Sequence, residues 1–215
     1  MIQDDPEILL RILWTDEATF RSDGSVNRHN MHYWSPANPH WLQQVQNQGR
    51  WSLNVWCGII GGRIIGPWIF NGRLNGLSYL NFLQNDLPIL LRDIPLETRR
   101  NMWFQHDGCP AHFTARVCEF LNETYPGRWI GRGSLFPWPP RSPDLSCLDF
   151  YYWARIKDLV YITRPTTRED MIQRITDAAR SLSVAEIETS VLATGQRIQS
   201  CIEQDGQHFE HLGPH

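Results

Sequence analysis

Three aspartates, Asp16, Asp107 and Asp149, are the side chains of this sequence best suited to chemistry. Asp16 stands inside an apolar run, Arg11 to Phe20 (RILWTDEATF), on the same alternate positions as Trp14, Ala18 and Phe20. A carboxylate in such a strand is expensive unless it is paired or bound to a metal. Asp107 closes a second run, Asn101 to Asp107 (NMWFQHD), and Asp149 follows Ser146, a residue type that caps helices. Two of the three have bland explanations when taken singly. Asp107-Gly108 is a turn dipeptide, and a carboxylate in the first turn of a helix complements the helix dipole. Asp144, in Ser142-Pro143-Asp144, reads the same way, as a turn or cap residue. Brought together, three carboxylates are hard oxygen donors of the kind that bind Mg²⁺ or Mn²⁺.

The elements that must bring them together are legible in outline. Arg11 to Phe20 predicts a strand ended by the Asp23-Gly24 turn. Ser25 to Arg50 is polar and too long for an ordinary connection, so it is expected to be a functional arm. Trp51 to Ile60 and Arg63 to Phe70 are β-rich runs joined by Gly61-Gly62, a two-residue hairpin signal. Asn75 to Leu87 changes to a helical period that Pro88 should end or kink. Asn101 to Asp107 reads as a strand, Ala111 to Tyr125 as a helix, Arg128 to Gly131 as a brief strand and Cys147 to Tyr161 as a helix. Capping patterns at Thr167-x-x-Asp170 and Ser183-x-x-Glu186 open two closing helices. A hairpin joined to crossover-linked strands predicts an α/β mixed sheet flanked by helices, in the element order of a ribonuclease-H-like fold.

Composition bounds the alternatives. The chain has 215 residues, 41% of them hydrophobic and 20% charged, as in an ordinary globular protein. No apolar run approaches the ~20 residues a membrane span needs, and the polar, acidic start is no secretory signal, so an intracellular protein is expected. The five cysteines are odd in number and lack CxxC spacing, which argues against a disulfide framework. His106, Cys109 and His112 hint at zinc, but a fourth ligand has no evident source. The net charge of −3 speaks against a nucleic-acid partner, although Arg128 to Arg174 holds eight basic residues against five acidic ones. Lys157 is the single lysine, and arginine is the better bidentate phosphate ligand.

Three blocks surround the aspartates. They are Leu13-Trp14-Thr15-Asp16-Glu17, then Gln105-His106-Asp107-Gly108-Cys109-Pro110-Ala111-His112, and then Trp138 to Phe150 (WPPRSPDLSCLDF). In order and spacing they resemble the mariner superfamily of transposases, over about Leu9 to Leu212. With 90 residues between Asp16 and Asp107 and 41 between Asp107 and Asp149, the pattern looks like the all-aspartate branch with a long second spacing. Cys109 and Cys147 depart from the family, which commonly carries Ala and Pro there.

The resemblance implies a transposase catalytic domain over 1–215, with 25–50 as an inserted arm and 166–212 as C-terminal helices. The N-terminal helix-turn-helix DNA-binding domain of such proteins is expected to be absent. Asp16, Asp107 and Asp149 would hold Mg²⁺ or Mn²⁺, as two ions roughly 3.5–4 Å apart, for strand cleavage and strand transfer. The implied partners are double-stranded DNA and a second copy of the chain as a homodimer, in the nucleus, with no membrane and no small-molecule substrate. Within that family the third ligand is Asp149, five residues after Asp144. His106 and His112 would touch DNA, support the carboxylates, or simply fill the core. Most of the ten tryptophans read as core, with Trp34 and Trp41 of the arm as the exceptions. Two other readings stay open: a catalytically inactive remnant serving as a DNA-binding or oligomerisation module, and a ribonuclease H acting on RNA–DNA hybrids.

Overall fold

A computed structural model describes Asp5, residues 7–24 and residues 51–206. The arm from Ser25 to Arg50, with Trp34 and Trp41, and the closing residues 207–215 lie outside the described residues. A short helix α1 (Ile8–Arg11) leads into β1 (Ile12–Arg21), and β2 (Ser52–Ile60) and β3 (Arg63–Phe70) form a hairpin. Its two-residue turn is the expected one: Ile60 pairs with Arg63, and Gly61 takes φ +56°. Next come α2 (Gly76–Asn81), α3 (Leu87–Leu90), α4 (Leu96–Asn101), β4 (Trp103–Gln105), α5 (Ala115–Thr124) and β5 (Trp129–Ile130). Helices α6 (Trp153–Val160), α7 (Arg168–Ser181) and α8 (Val184–Glu203) complete the described chain.

The sheet runs β3-β2-β1-β4-β5, antiparallel on the hairpin side and parallel from β1 through β4 to β5. Side chains of successive residues alternate between the sheet's faces, and two apolar layers result. Trp14, Phe20, Val55 and Ile59 pack with Tyr152, Trp153 and Ile156 and with Met171, Ile175, Ile187 and Val191 of the closing helices. Leu13, Trp56, Ile65 and Phe104 pack with Tyr79, Phe82, Val117 and Leu121 on the other side. This is the mixed, helix-flanked sheet expected from the element order.

Several boundaries differ from expectation, each for a local reason. Pro88 does not end the second-face helix: the chain widens to a π turn over Phe82–Asp86, where Leu87 N–H reaches back to Phe82 C=O, and Pro88 enters α3. A proline cannot donate the bond that a regular α-helix requires there. The strand expected to reach Asp107 stops at Gln105, and the helix expected from Ala111 begins at Ala115. Thr167 and Ser183 cap α7 and α8 by accepting from Asp170 N–H and Glu186 N–H. The reciprocal halves are spent elsewhere: Asp170 accepts from Thr166, and Glu186 from the Tyr151 hydroxyl.

Candidate active site

Register places the first two aspartates. The last parallel pair of β1 and β4 is Trp14 with Gln105, and Thr15 ties the strands further by donating from its hydroxyl to Gln105 C=O at 2.6 Å. Asp16 and Asp107 each lie two residues beyond that pair, so both stand at the same height at the carboxyl end of β4. β1 continues along β2, with Asp16 opposite Cys57, while the shorter β4 releases the chain as a loop. The carboxyl ends of parallel strands, where neighbouring connections diverge, are where α/β sheets form their crevices.

Asp149 arrives from the helix side. It occupies a π turn, Leu148–Tyr152, that precedes α6, and Trp153 N–H closes that turn on Leu148 C=O. Ser146 was expected to cap this helix with its side chain; instead Cys147 holds the N-cap position and no side-chain capping bond forms. Cys147 is buried in the core, and Asp149 still reaches the cleft. The expected apolar face is present, with Leu148, Tyr152 and Ile156 buried. A cleft of ≈ 620 Å³ is lined by Asp16, Glu17, Asp107, Cys109, Asp149 and the segment from Trp138 to Pro143. All three sequence-singled aspartates therefore meet in one crevice. Asp144 is not among its lining residues, and its C=O accepts from Arg197. Trp138 anchors the proline-rich wall edge-on against Trp14 at 5.9 Å, and Arg141 stands at the rim with φ +58°, unusual for a non-glycine residue.

Electrostatics divide the cleft. Asp16 accepts from the Trp153 indole at 2.7 Å and shares a hydrogen bond with Asp149. Burial pushes Asp16 well above the usual carboxylate range, and the charges of Asp149, Glu17 and Asp107 push the same way. Asp149 rises to about 7, from burial first and the charge of Asp107 second, against the bond from Asp16 and the charge of Lys157. Asp107 behaves oppositely. Burial would raise it, but His112, the Cys109 N–H at 2.9 Å and His106 together hold it below its ordinary value.

His112 is the hinge of that difference. Its Nδ1 lies 2.7 Å from Asp107 Oδ1 and its Nε2 3.1 Å from Glu17 Oε2. The second contact has the distance of an ion pair without the alignment of a hydrogen bond. Burial opposes charge on this ring, yet Glu17 and Asp107 raise it well above the usual imidazole range. His106 stacks on it at 4.9 Å and 9° between planes, with Nδ1 3.3 Å from the Tyr79 hydroxyl. Burial and the neighbouring charge of His112 hold His106 well below the ordinary range, so one ring is charged and the other neutral. Gly131 makes room for the neutral one, because a Cβ there would fall 2.3 Å from His106 Cδ2.

Sequence reasoning missed Glu17, Trp153 and Lys157. Glu17 had a signal, an Asp-Glu pair inside an apolar strand. Strand alternation sends Asp16 toward Trp153 on one face and Glu17 toward His112 on the other, so the strand end grips both sides of the cleft. The three residues that hinted at zinc, His106, Cys109 and His112, do not converge as a set. His106 is occupied with Tyr79, and the side chains that converge among the described residues are Asp107, Cys109 and His112.

The donor set fits a hard divalent cation: oxygen ligands lining an open crevice, two of them raised by burial and by neighbouring carboxylates. No protein-family model matches the chain. The chain is 23% identical over 199 residues, 91% of its length, to the Tc3 transposase of Caenorhabditis elegans, and spans only 56% of that protein. It superposes on the Mos1 transposase catalytic domain solved with raltegravir and magnesium with a TM-score of 0.73 at 17% identity, covering 97% of this chain and 90% of that one. It matches the Mos1 paired-end complex with the left transposon end equally well, at 20% identity over 97% of this chain and 59% of that one. The fold is thus that of the Mos1 catalytic domain, ribonuclease-H-like as its element order predicts.

Proposed function

We propose that this chain is the catalytic core of a mariner-type DNA transposase, of the all-aspartate branch, which cleaves and joins phosphodiester bonds in duplex DNA. The observation that carries the reading is the convergence of Asp16, Asp107 and Asp149 on one crevice at the carboxyl ends of parallel strands. The similarity to Tc3 transposase and the Mos1 fold support it. Asp16, Asp107 and Asp149 would hold Mg²⁺ or Mn²⁺, as two ions. When bound, such ions supply Lewis-acid charge to the phosphoryl group and a nucleophile at neutral pH. The remaining work falls to the chain itself. Trp153 fixes Asp16, and the Cys109 N–H and His112 fix Asp107, so that these carboxylates need no reordering. Arg141 at the rim places a guanidinium where a phosphate would enter.

The acting assembly is read as a homodimer on double-stranded DNA in the nucleus, with 25–50 as the arm between partners. The test uses supercoiled duplex, with Mg²⁺ or Mn²⁺ added or withheld. Metal-dependent nicking by the wild type, absent in Asp149→Asn, is expected. DNA binding without nicking would favour the inactive module, and preference for RNA–DNA hybrid would favour a ribonuclease H.

A further inference from the structure

The loop after β4 carries a second set of ligand atoms. Asp107, Cys109 and His112 each present one, and these atoms all lie within 4.8 Å of one another. The loop is already shaped for it: Cys109 N–H donates to Asp107 Oδ1 at 2.9 Å, and His112 N–H donates to Cys109 C=O at 2.9 Å. Zinc binds Cys sulfur and His nitrogen at about 2.0–2.3 Å, which sets its ligand atoms roughly 3.3–3.7 Å apart in a tetrahedron. Small side-chain shifts span the difference. The neighbour on the far side of the ring is equally telling. Zinc-bound histidines hand their other N–H to a carboxylate, which orients the ring and selects the tautomer, and Glu17 Oε2 stands 3.1 Å from His112 Nε2, an ion-pair distance that a small turn of the ring would align as such a bond.

We propose that Asp107, Cys109 and His112 form a soft-metal site for zinc or cadmium, with Glu17 as the carboxylate behind its histidine. The metal takes the place of the Nδ1 proton between His112 and Asp107 and of the Cys109 thiol proton, and both protons leave to solvent. Nε2 keeps its proton toward Glu17, and the fourth position faces the cleft. Mg²⁺ has little affinity for a thiolate, so the site discriminates by ligand softness. Its consequence rests on the proposed function: Asp107 serves both sets, so an ion held by Cys109 and His112 competes with the hard ion shared with Asp16 and Asp149.

Cadmium is the probe, added to the full chain without DNA, and the readout is the ultraviolet thiolate-to-cadmium charge-transfer band. One equivalent of Cd²⁺ should produce the band in the wild type, and Zn²⁺ should remove it by displacement. Cys109→Ala should abolish it, as should Cys109→Ser, which keeps the side-chain size if the alanine variant folds poorly. Cys118→Ala should leave it intact. Glu17→Gln should keep the band but weaken Cd²⁺ binding about 10–100-fold, the usual cost of losing the carboxylate behind a ligating histidine. A band that survives both Cys109 variants, or no band at micromolar Cd²⁺, overturns the site. Because no DNA is present, a chain that never nicks duplex can still show the band, and a chain without the band can still nick.

Discussion

The two sides of the cleft use the same residue type to opposite effect. On one side Asp107 lies against a charged imidazole and a backbone N–H, and its carboxyl group is held below its ordinary value. On the other, Asp16 and Asp149 press together in a buried setting with one indole N–H and the partly buried Lys157 near them, and both are raised. Burial raises all three carboxyl groups, and only at Asp107 do the neighbouring groups, His112 first, outweigh it. The Asp107 side has His112 in direct contact; on the Asp16–Asp149 side the charge of Lys157 does not offset burial, and a divalent ion would add to it.

The largest expected effect comes from removing a ligand on the deficient side. Asp149→Asn should lower metal-dependent nicking by ~1000-fold or more, since metal charge contributes several kcal/mol to such transition states. Asp144→Asn should leave nicking within a few-fold of wild type, because Asp144 does not line the cleft. Equal losses in single-turnover assays would erase the distinction between the two residues.

His112→Phe attacks the self-sufficient side. It removes the partner of two carboxylates and should destabilise the fold by about 3 kcal/mol, the low end of the cost of breaking a buried charge pair, because the Glu17 side chain is mostly buried but that of Asp107 is half exposed. Chemical denaturation measures it. A loss under 1 kcal/mol would mean that Glu17 and Asp107 tolerate each other without the ring.

Metal sharpens the contrast from the other direction. At a hundred times its dissociation constant, Mn²⁺ should add about 2.7 kcal/mol to the wild type, read as a higher melting temperature. Asp149→Asn should lose most of that gain. A melting temperature indifferent to Mg²⁺ and Mn²⁺ would favour the inactive module.

A further expected effect is in pH. In the metal-free chain Asp149 titrates near 7 when folded and near ordinary carboxylate values when unfolded. Between those limits the folded state binds more protons, so stability should fall as pH rises from about 4 to 7. Asp149→Asn should flatten that decline, and saturating Mn²⁺ should oppose it. A metal-free stability that rises steadily across the same window would contradict the raised state of this side.

Much of the frame was legible because it depends on residues close in sequence. The Gly61-Gly62 turn, the caps at Thr167 and Ser183 and the alternation of β1 each involve a few neighbouring positions. The π turns at Phe82–Asp86 and Leu148–Tyr152 were not legible, since an α-helix and a π turn share nearly the same apolar spacing and differ by one inserted residue. Asp107 was expected to end a strand and stands two residues past its end, because the pairing of β4 with β1 and β5 stops at Gln105.

By itself, then, the sequence determined that three aspartates in recognisable surroundings would ride on a mixed sheet, and which of Asp144 and Asp149 was the better candidate. It could not say that Glu17 and Asp16 would face opposite walls of one cleft, that His112 would be charged while His106 beneath it stayed neutral, or that Cys109 would turn toward Asp107. Those outcomes belong to the tertiary structure. Propensity and periodicity act over a few residues, whereas a charge state is set by whichever groups the fold brings within a few ångströms, and Glu17, Asp107 and His112 meet only because β1 and β4 pair in parallel.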